Sequence, residues 1–174
     1  MHAQKPDELF DIVNDRDEVV GQETRAVVHR TGLKHRAVHV LVFNRKGEVF
    51  LQKRSMSKDT APGAWDSSAS GHVDSGEDYD ACAVRELREE IGLIVERPPE
   101  RLFKIDARPE TGQEFVWIYR LDAEGPFQLH PEEIEMGDWF ELDRLTRWIA
   151  DRPKDFAASF RLIWKLFQSR QEPR

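Results

Sequence analysis

Several common signals are scarce in this chain. There is one cysteine, Cys82, among 174 residues, which excludes an intramolecular disulfide and any paired-cysteine metal or redox motif. A single thiol inside a helical pattern reads as a small buried residue. No apolar run approaches the ~18 residues that cross a bilayer, and the opening MHAQKPDELF has no apolar core of signal-peptide length. A cytoplasmic protein without membrane contact is therefore expected. An excess of positive charge is also missing: 26 Lys and Arg stand against 33 Asp and Glu, a formal net charge of -7. That balance argues against a general nucleic-acid binder, whose affinity depends on a face that attracts phosphates along its length. Repeats and low-complexity segments are absent.

What is present is a composition of 39% hydrophobic and 34% charged residues, suited to one folded domain over residues 1–174. Residues 10–21 place two short apolar runs around Asn14, Asp15 and Asp17, which predicts a hairpin. A short helix or turn is expected over 22–30. RAVHVLVFN at 36–44 and the return at 48–54, joined by Lys46-Gly47, read as the best strand pair. Residues 64–73 are strand-like at best. Asp78 is a plausible N-cap for a helix to Ile91. A further strand pair is expected at 101–107 and 113–121, an extended stretch near 134–141, and a helix over 142–150. After Pro153, Phe156, Phe160, Ile163, Trp164 and Phe167 make one helical stripe. Core packing is the simplest use of that stripe, though it also permits a homodimer. Strands enclosed by helices point to a mixed α/β layered domain.

The chemistry gathers on the helix after Asp78. At 100° per residue, with Glu86 at zero, Glu89 falls at about -60° and Glu90 at about +40°, while Leu87, Ile91, Val84 and Ala81 lie behind. Three carboxylates on one face weaken an isolated helix by a few tenths of a kcal/mol per like-charged pair. Either the face is simply solvated, or it binds a cation such as Mg²⁺, which prefers carboxylate oxygens and keeps positions for water and phosphate. The flanking residues favour the cation. Gly71, Glu77, Arg85, Glu86, Leu87, Glu89, Glu90, Gly92 and Leu93 fill every fixed position of G-x5-E-x7-R-E-U-x-E-E-x-G-U, a coincidence on the order of 10⁻⁹ at one start.

Residues 71–93 thus resemble the Nudix hydrolase box. The resemblance implies an α/β/α sandwich with a mixed sheet, preceded here by an N-terminal β-hairpin. It also implies Mg²⁺ or Mn²⁺ held by Glu86, Glu89 and Glu90 with help from the Gly71 carbonyl, and Glu77 paired with Arg85. The implied reaction is hydrolysis of a diphosphate linkage in a nucleoside diphosphate derivative or similar small molecule. Glu89 and Glu90 belong to the catalytic set, and either Glu90 or a carboxylate outside the box takes the proton from the attacking water.

A wider stretch is similar to isopentenyl-diphosphate isomerase and its Nudix relatives: DEVVG at 17–21, HRTGLKHRA at 29–37, VFNRKGEVFLQKRS at 42–55, PGAW at 62–65 and SGH at 70–72. It implies a metal set at His29, His35, His72 and Glu114, with Gly112 at the fifth place, and diphosphate contacts from Arg25, Arg54 and Lys58. Each of these also has an ordinary reading, as a satisfied polar residue or a surface charge. Glu114 is a candidate metal ligand or base, and Trp65 and Trp117 either line the pocket or pack in the core. Two departures weigh against isomerase chemistry. Ser70 stands where the isomerase has cysteine, and a hydroxyl does not replace a thiol in that proton transfer. Glu86 and Glu89 are retained where the isomerase tends to lose them. Hydrolysis is the expected activity, with isomerisation and a non-catalytic nucleotide-binding regulatory module as alternatives.

Overall fold

The computed structural model describes residues 5–171. Residues 1–4 and 172–174 fall outside it, and with them the start of the leader reading and both ends of the expected 1–174 domain. The N-terminal hairpin is present: β1 (Leu9–Val13) pairs antiparallel with β2 (Val19–Thr24). The Asn14 side chain accepts the N–H groups of Arg16 and Glu18, and Asp17 takes a φ of 61°, a conformation Asp and Asn tolerate better than most residues. Thr24 caps α1 (Arg25–Thr31), and Gly32 ends it in the left-handed region.

Seven strands form one mixed sheet in the order β5-β4-β3-β8-β7, with β6 on β3 and β9 on β4. They are β3 (His35–Phe43), β4 (Val49–Arg54), β5 (Trp65–Asp66), β6 (Ala69–His72), β7 (Glu100–Ile105), β8 (Glu114–Asp122) and β9 (Ile134–Phe140). β8 runs parallel to the whole of β3, from His35 opposite Glu114 to Phe43 opposite Asp122. The expected best pair, β3 with β4, holds only at Val42–Phe50 and Phe43–Val49. Beyond that point the strands part and residues 65–72 fill the gap, β5 pairing with β4 and β6 with β3. Ser68 closes the fork: its buried hydroxyl accepts the Val42 N–H at 2.8 Å and donates to the Phe50 carbonyl. Two backbone groups that the parting would orphan are thereby satisfied.

Side chains alternate along the strands and build two cores. Val38, Val40, Val42 and Tyr119 face α2 (Tyr79–Ile91), and Leu41, Phe43, Val116 and Ile118 face α3 (Leu142–Asp151) and α4 (Ala158–Gln171). The result is the expected α/β/α arrangement. The C-terminal stripe is buried inside the molecule, with Phe160, Ile163, Trp164 and Phe167 all in the core. It offers no free face to a second copy, which removes the ground on which it permitted a homodimer. Phe156 lies before the helix, not within it. Cys82 is buried as expected. No helix of the described residues is long and apolar enough to cross a membrane.

Candidate active site

Asp78 caps α2 by accepting the Ala81 N–H, and Gly92 closes the helix in the left-handed conformation at φ 68°. The division into an apolar back and a carboxylate front differs from expectation. Glu86 and Glu90 are buried on the same arc as Leu87 and Ile91, whereas Ala81 is exposed. The helix leans over the β6 edge, so two box carboxylates point into the protein and only Glu89 is half open. Glu77 accepts Arg85 through both oxygens, from Nε at 2.8 Å and Nη2 at 2.9 Å, and Arg85 Nη2 also reaches the His72 carbonyl at 3.0 Å. This locks the loop onto the helix. Arg85 Nη1 donates to Glu86 at 2.8 Å and Glu89 at 3.3 Å. Gly71 is required by close approach: a Cβ there would stand 1.9 Å from Glu86 Oε1.

Glu90 reaches the fork between β3 and β4, where it accepts Gln52 Nε2 at 2.6 Å and the Ser70 N–H at 2.9 Å. Burial pushes its carboxyl up to about 7, against the pull of Lys58, Gln52 and Ser70. Glu86 is pushed well above the usual range by burial and then by Glu90, with Arg85 opposing. Buried, mutually repelling carboxylates with hard oxygen donors, beside a carbonyl at a side-chain-free position, suit Mg²⁺ or Mn²⁺.

These residues line a cavity of about 680 Å³. Gly71, Arg85, Glu86, Glu89 and Glu90 form one wall, and Arg25, His29, His72 and Glu114 another. His35 sits behind, 1% exposed. The donor atoms of His29, His35 and His72 lie within 4.8 Å of one another, and Phe10 stacks on His72 with ring centroids 4.7 Å apart. Arg25 Nη1 is 3.2 Å from His72 Nδ1, and His72 Nε2 is 2.7 Å from Glu114 Oε1. Since a guanidinium only donates, Nδ1 accepts and the proton resides on Nε2, facing the carboxylate. Burial lowers His72 to about 4 despite Glu114. Burial opposes charge on Glu114, yet the His72 donor holds it well below the usual carboxylate range. At neutral pH the imidazole therefore serves Glu114 as a neutral hydrogen-bond donor. His35 Nδ1 donates to the Leu33 carbonyl at 2.8 Å, leaving Nε2 as a lone pair. That buried atom has no hydrogen-bond partner among the described residues and stands 3.4 Å from Glu114.

The basic residues are less free than expected. Arg25 is bound to Asp59 at 3.1 and 3.2 Å and lies 3.7 Å from Glu8. Arg54 donates to Asp66 at 3.2 Å and the Thr60 carbonyl at 3.0 Å, and Lys58 pairs with Glu133. Trp65 and Trp117 do not line the cavity: Trp65 meets Phe140 and Trp148 edge-on, and Trp117 carries the Arg101 guanidinium. Sequence reasoning missed Asp59, Asp66, Glu133, Gln52 and His39. They lie on loops and strands at no fixed spacing from the box; Gln52 falls inside the match at 42–55 without a role being assigned to it, and the match at 62–65 stops one residue short of Asp66.

A NUDIX domain model matches residues 33–160. The chain is 33% identical over 162 residues to an isopentenyl-diphosphate Delta-isomerase of Serratia proteamaculans, covering 91% of this chain and 90% of that protein. It is 34% identical over 145 residues to a Nudix hydrolase of Deinococcus radiodurans, covering 83% and 85%. A crystal structure from Deinococcus radiodurans superposes with a TM-score of 0.72 at 32% identity, over 83% of this chain and 90% of that one. A MutT protein of Methanosarcina mazei shares the fold, with a TM-score of 0.67 at 22% identity over 79% and 94%. With an intact box on an α/β/α frame, the chain belongs to the Nudix hydrolase family, enzymes that hydrolyse pyrophosphate linkages.

Proposed function

We propose that the chain is a single domain over residues 1–174 that hydrolyses a diphosphate linkage in a small molecule with Mg²⁺ or Mn²⁺, in the cytoplasm. The observation that carries this is the convergence of Glu86, Glu89, Glu90 and Gly71 on a cavity whose other walls present Arg54 and Lys58. A divalent ion there would supply charge neutralisation for the phosphate oxygens and a more acidic water. Glu86 and Glu89 would hold it, with the Gly71 carbonyl beside them. Glu90, oriented by Gln52 and Ser70, would take the water's proton. Arg54 and Lys58 would bind the anion by trading part of their pairing with Asp66 and Glu133 for phosphate. Arg25 acts through Asp59 and His72, fixing the wall from behind.

His29, His35, His72 and Glu114 would hold a second cation, with His72 releasing Arg25 and moving its proton to Nδ1 so that Nε2 becomes a ligand, and the unpartnered His35 Nε2 supports this. Three imidazoles and one carboxylate suit Mn²⁺ or another borderline metal better than Mg²⁺. The isomerase relative favours a second reading, allylic isomerisation, but Ser70 lacks the acidity of a thiol. The test is a metal-dependent product screen across nucleotide, sugar and prenyl diphosphates, with chelation and Mg²⁺ re-addition as controls. Glu89→Gln and Glu90→Gln should each lose roughly 10²-fold or more in kcat while melting normally. Full activity in both variants sinks the hydrolase reading, and allylic isomer formed from isopentenyl diphosphate installs the second.

A further inference from the structure

The cavity holds one buried imidazole that the reaction above does not use. His39, on β3, is 5% exposed and lies opposite Ser70 in the sheet. Its Nδ1 is 2.8 Å from Ser67 Oγ and 3.6 Å from Asp66 Oδ1. Burial keeps the ring neutral against Asp66 and Glu114, with Arg54 adding to the effect. A carboxylate this close favours the proton on Nδ1, where Ser67 Oγ accepts it. The Nε2 lone pair is then left on a ring that lines the cavity, and it has no hydrogen-bond partner among the described residues.

Asp66 holds a second group beside it. Its Oδ1 accepts the Ser67 N–H at 2.8 Å and its Oδ2 accepts Arg54 Nη1 at 3.2 Å, while Arg54 Nε is fixed on Thr60. Arg54 Nη2 has no hydrogen bond among the described residues. One buried carboxylate thus binds the first of two probes of opposite type and stands 3.6 Å from the second: a guanidinium that takes phosphate oxygens, and an imidazole whose lone pair repels them and takes a hydroxyl. Among the described residues the cavity wall has no Phe, Tyr or Trp on which a base would stack, and its apolar lining is limited to small groups such as Val28, Ala37 and Pro109.

We propose that Arg54, bound to Asp66, and His39, held by Ser67 beside the same carboxylate, read a phosphate and a hydroxyl next to it, so that the group joined to the diphosphate is a sugar or polyol. This rests on the hydrolase reading and names its substrate class. His39 would be a specificity-determining residue and Asp66 the positioning residue for both contacts. A site built around a hydroxyl discriminates strongly against analogues lacking it, because the buried acceptor is left unpaired.

The experiment compares matched diphosphate diesters that carry methyl on the other phosphate, hexose against cyclohexyl and glycerol against propyl, in the full chain with Mg²⁺. The hydroxylated member of each pair should show at least tenfold higher kcat/KM. His39→Leu should bring that ratio near one, His39→Gln, which keeps a carbonyl acceptor, should restore part of it, and Asp66→Asn should lower it. If His39→Leu does not fold, the Gln and Asn variants decide. Hydrolysis of all four esters without preference, or a preference that survives the loss of His39, overturns the inference while leaving the hydrolase reading intact. Calorimetry with methylene-bridged analogues separates the two: a hydroxyl preference in binding without any turnover keeps this inference and rejects hydrolysis. No preference in either measurement rejects it.

Discussion

Gly71 shows how much one missing side chain decides. The box needs glycine there because the space a Cβ would fill is taken by the Glu86 carboxylate, 1.9 Å away. Gly71→Ala should expel that carboxylate and weaken Mg²⁺ binding roughly 10–100-fold, with a matching loss of turnover. A calorimetric Mg²⁺ titration indistinguishable from wild type would remove this account. Asp17 does its work far from the chemistry, as the half-buried acceptor for Tyr79 Oη at 2.7 Å, Arg36 Nε at 2.7 Å and Lys104. Burial works against its charge, but Lys104, Arg36 and Tyr79 outweigh it and hold the carboxyl below the usual range. With a folded pKa depressed, its stabilisation is present above the unfolded value of about 3.9 and is lost as pH falls through the folded value. Asp17→Asn, chosen because Asn tolerates φ 61°, should cost about 2–3 kcal/mol at pH 7. Urea denaturation should show the gap from wild type shrinking below about pH 4, and a constant gap would refute the linkage.

At the scale of elements, the fork between β3 and β4 makes the site. Where the two strands separate, Glu90 enters from α2 and residues 65–72 supply Asp66, Ser70 and Gly71 to the cavity. Ser68 lets the strands part without orphaning Val42 N–H and Phe50 C=O. Ser68→Ala should therefore cost about 2–4 kcal/mol, since both groups remain buried and unpaired. A change in chemical denaturation midpoint worth under 0.5 kcal/mol would mean that the strands close up or water replaces the hydroxyl.

Across the whole molecule, the hairpin and α1 are integral to the site although the family match begins at residue 33. Arg25 and His29 come from α1, and Phe10 packs on His72. From β1, Asp11 accepts Ser75 Oγ at 2.9 Å and the Gly76 N–H at 3.1 Å, tying the box loop to the hairpin. A chain beginning at Leu33 should lose hydrolysis roughly 10²-fold or more, because the supporting contacts of the box loop and the histidine wall go with the hairpin. Its thermal midpoint should also fall. Wild-type turnover in that truncated chain would show the hairpin to be an accessory.

The sequence by itself determined the box, its helix caps, nearly all the strands and the identity of the three carboxylates, because these depend on spacing within a single element. Asp78, Gly92 and the Glu77–Arg85 pair are legible for that reason. The stripe from Phe160 to Phe167 was legible as a helical face, but only packing assigned it to the protein's own core. Tertiary structure alone decided that Glu86 and Glu90 are buried and that β3 and β4 diverge. It also decided that Arg25, Arg54 and Lys58 already hold carboxylates, and that His39 sits beside the Asp66 that binds Arg54. Each of these depends on residues distant in sequence meeting across the sheet, where burial and pairing, not local periodicity, set the charge a side chain can offer.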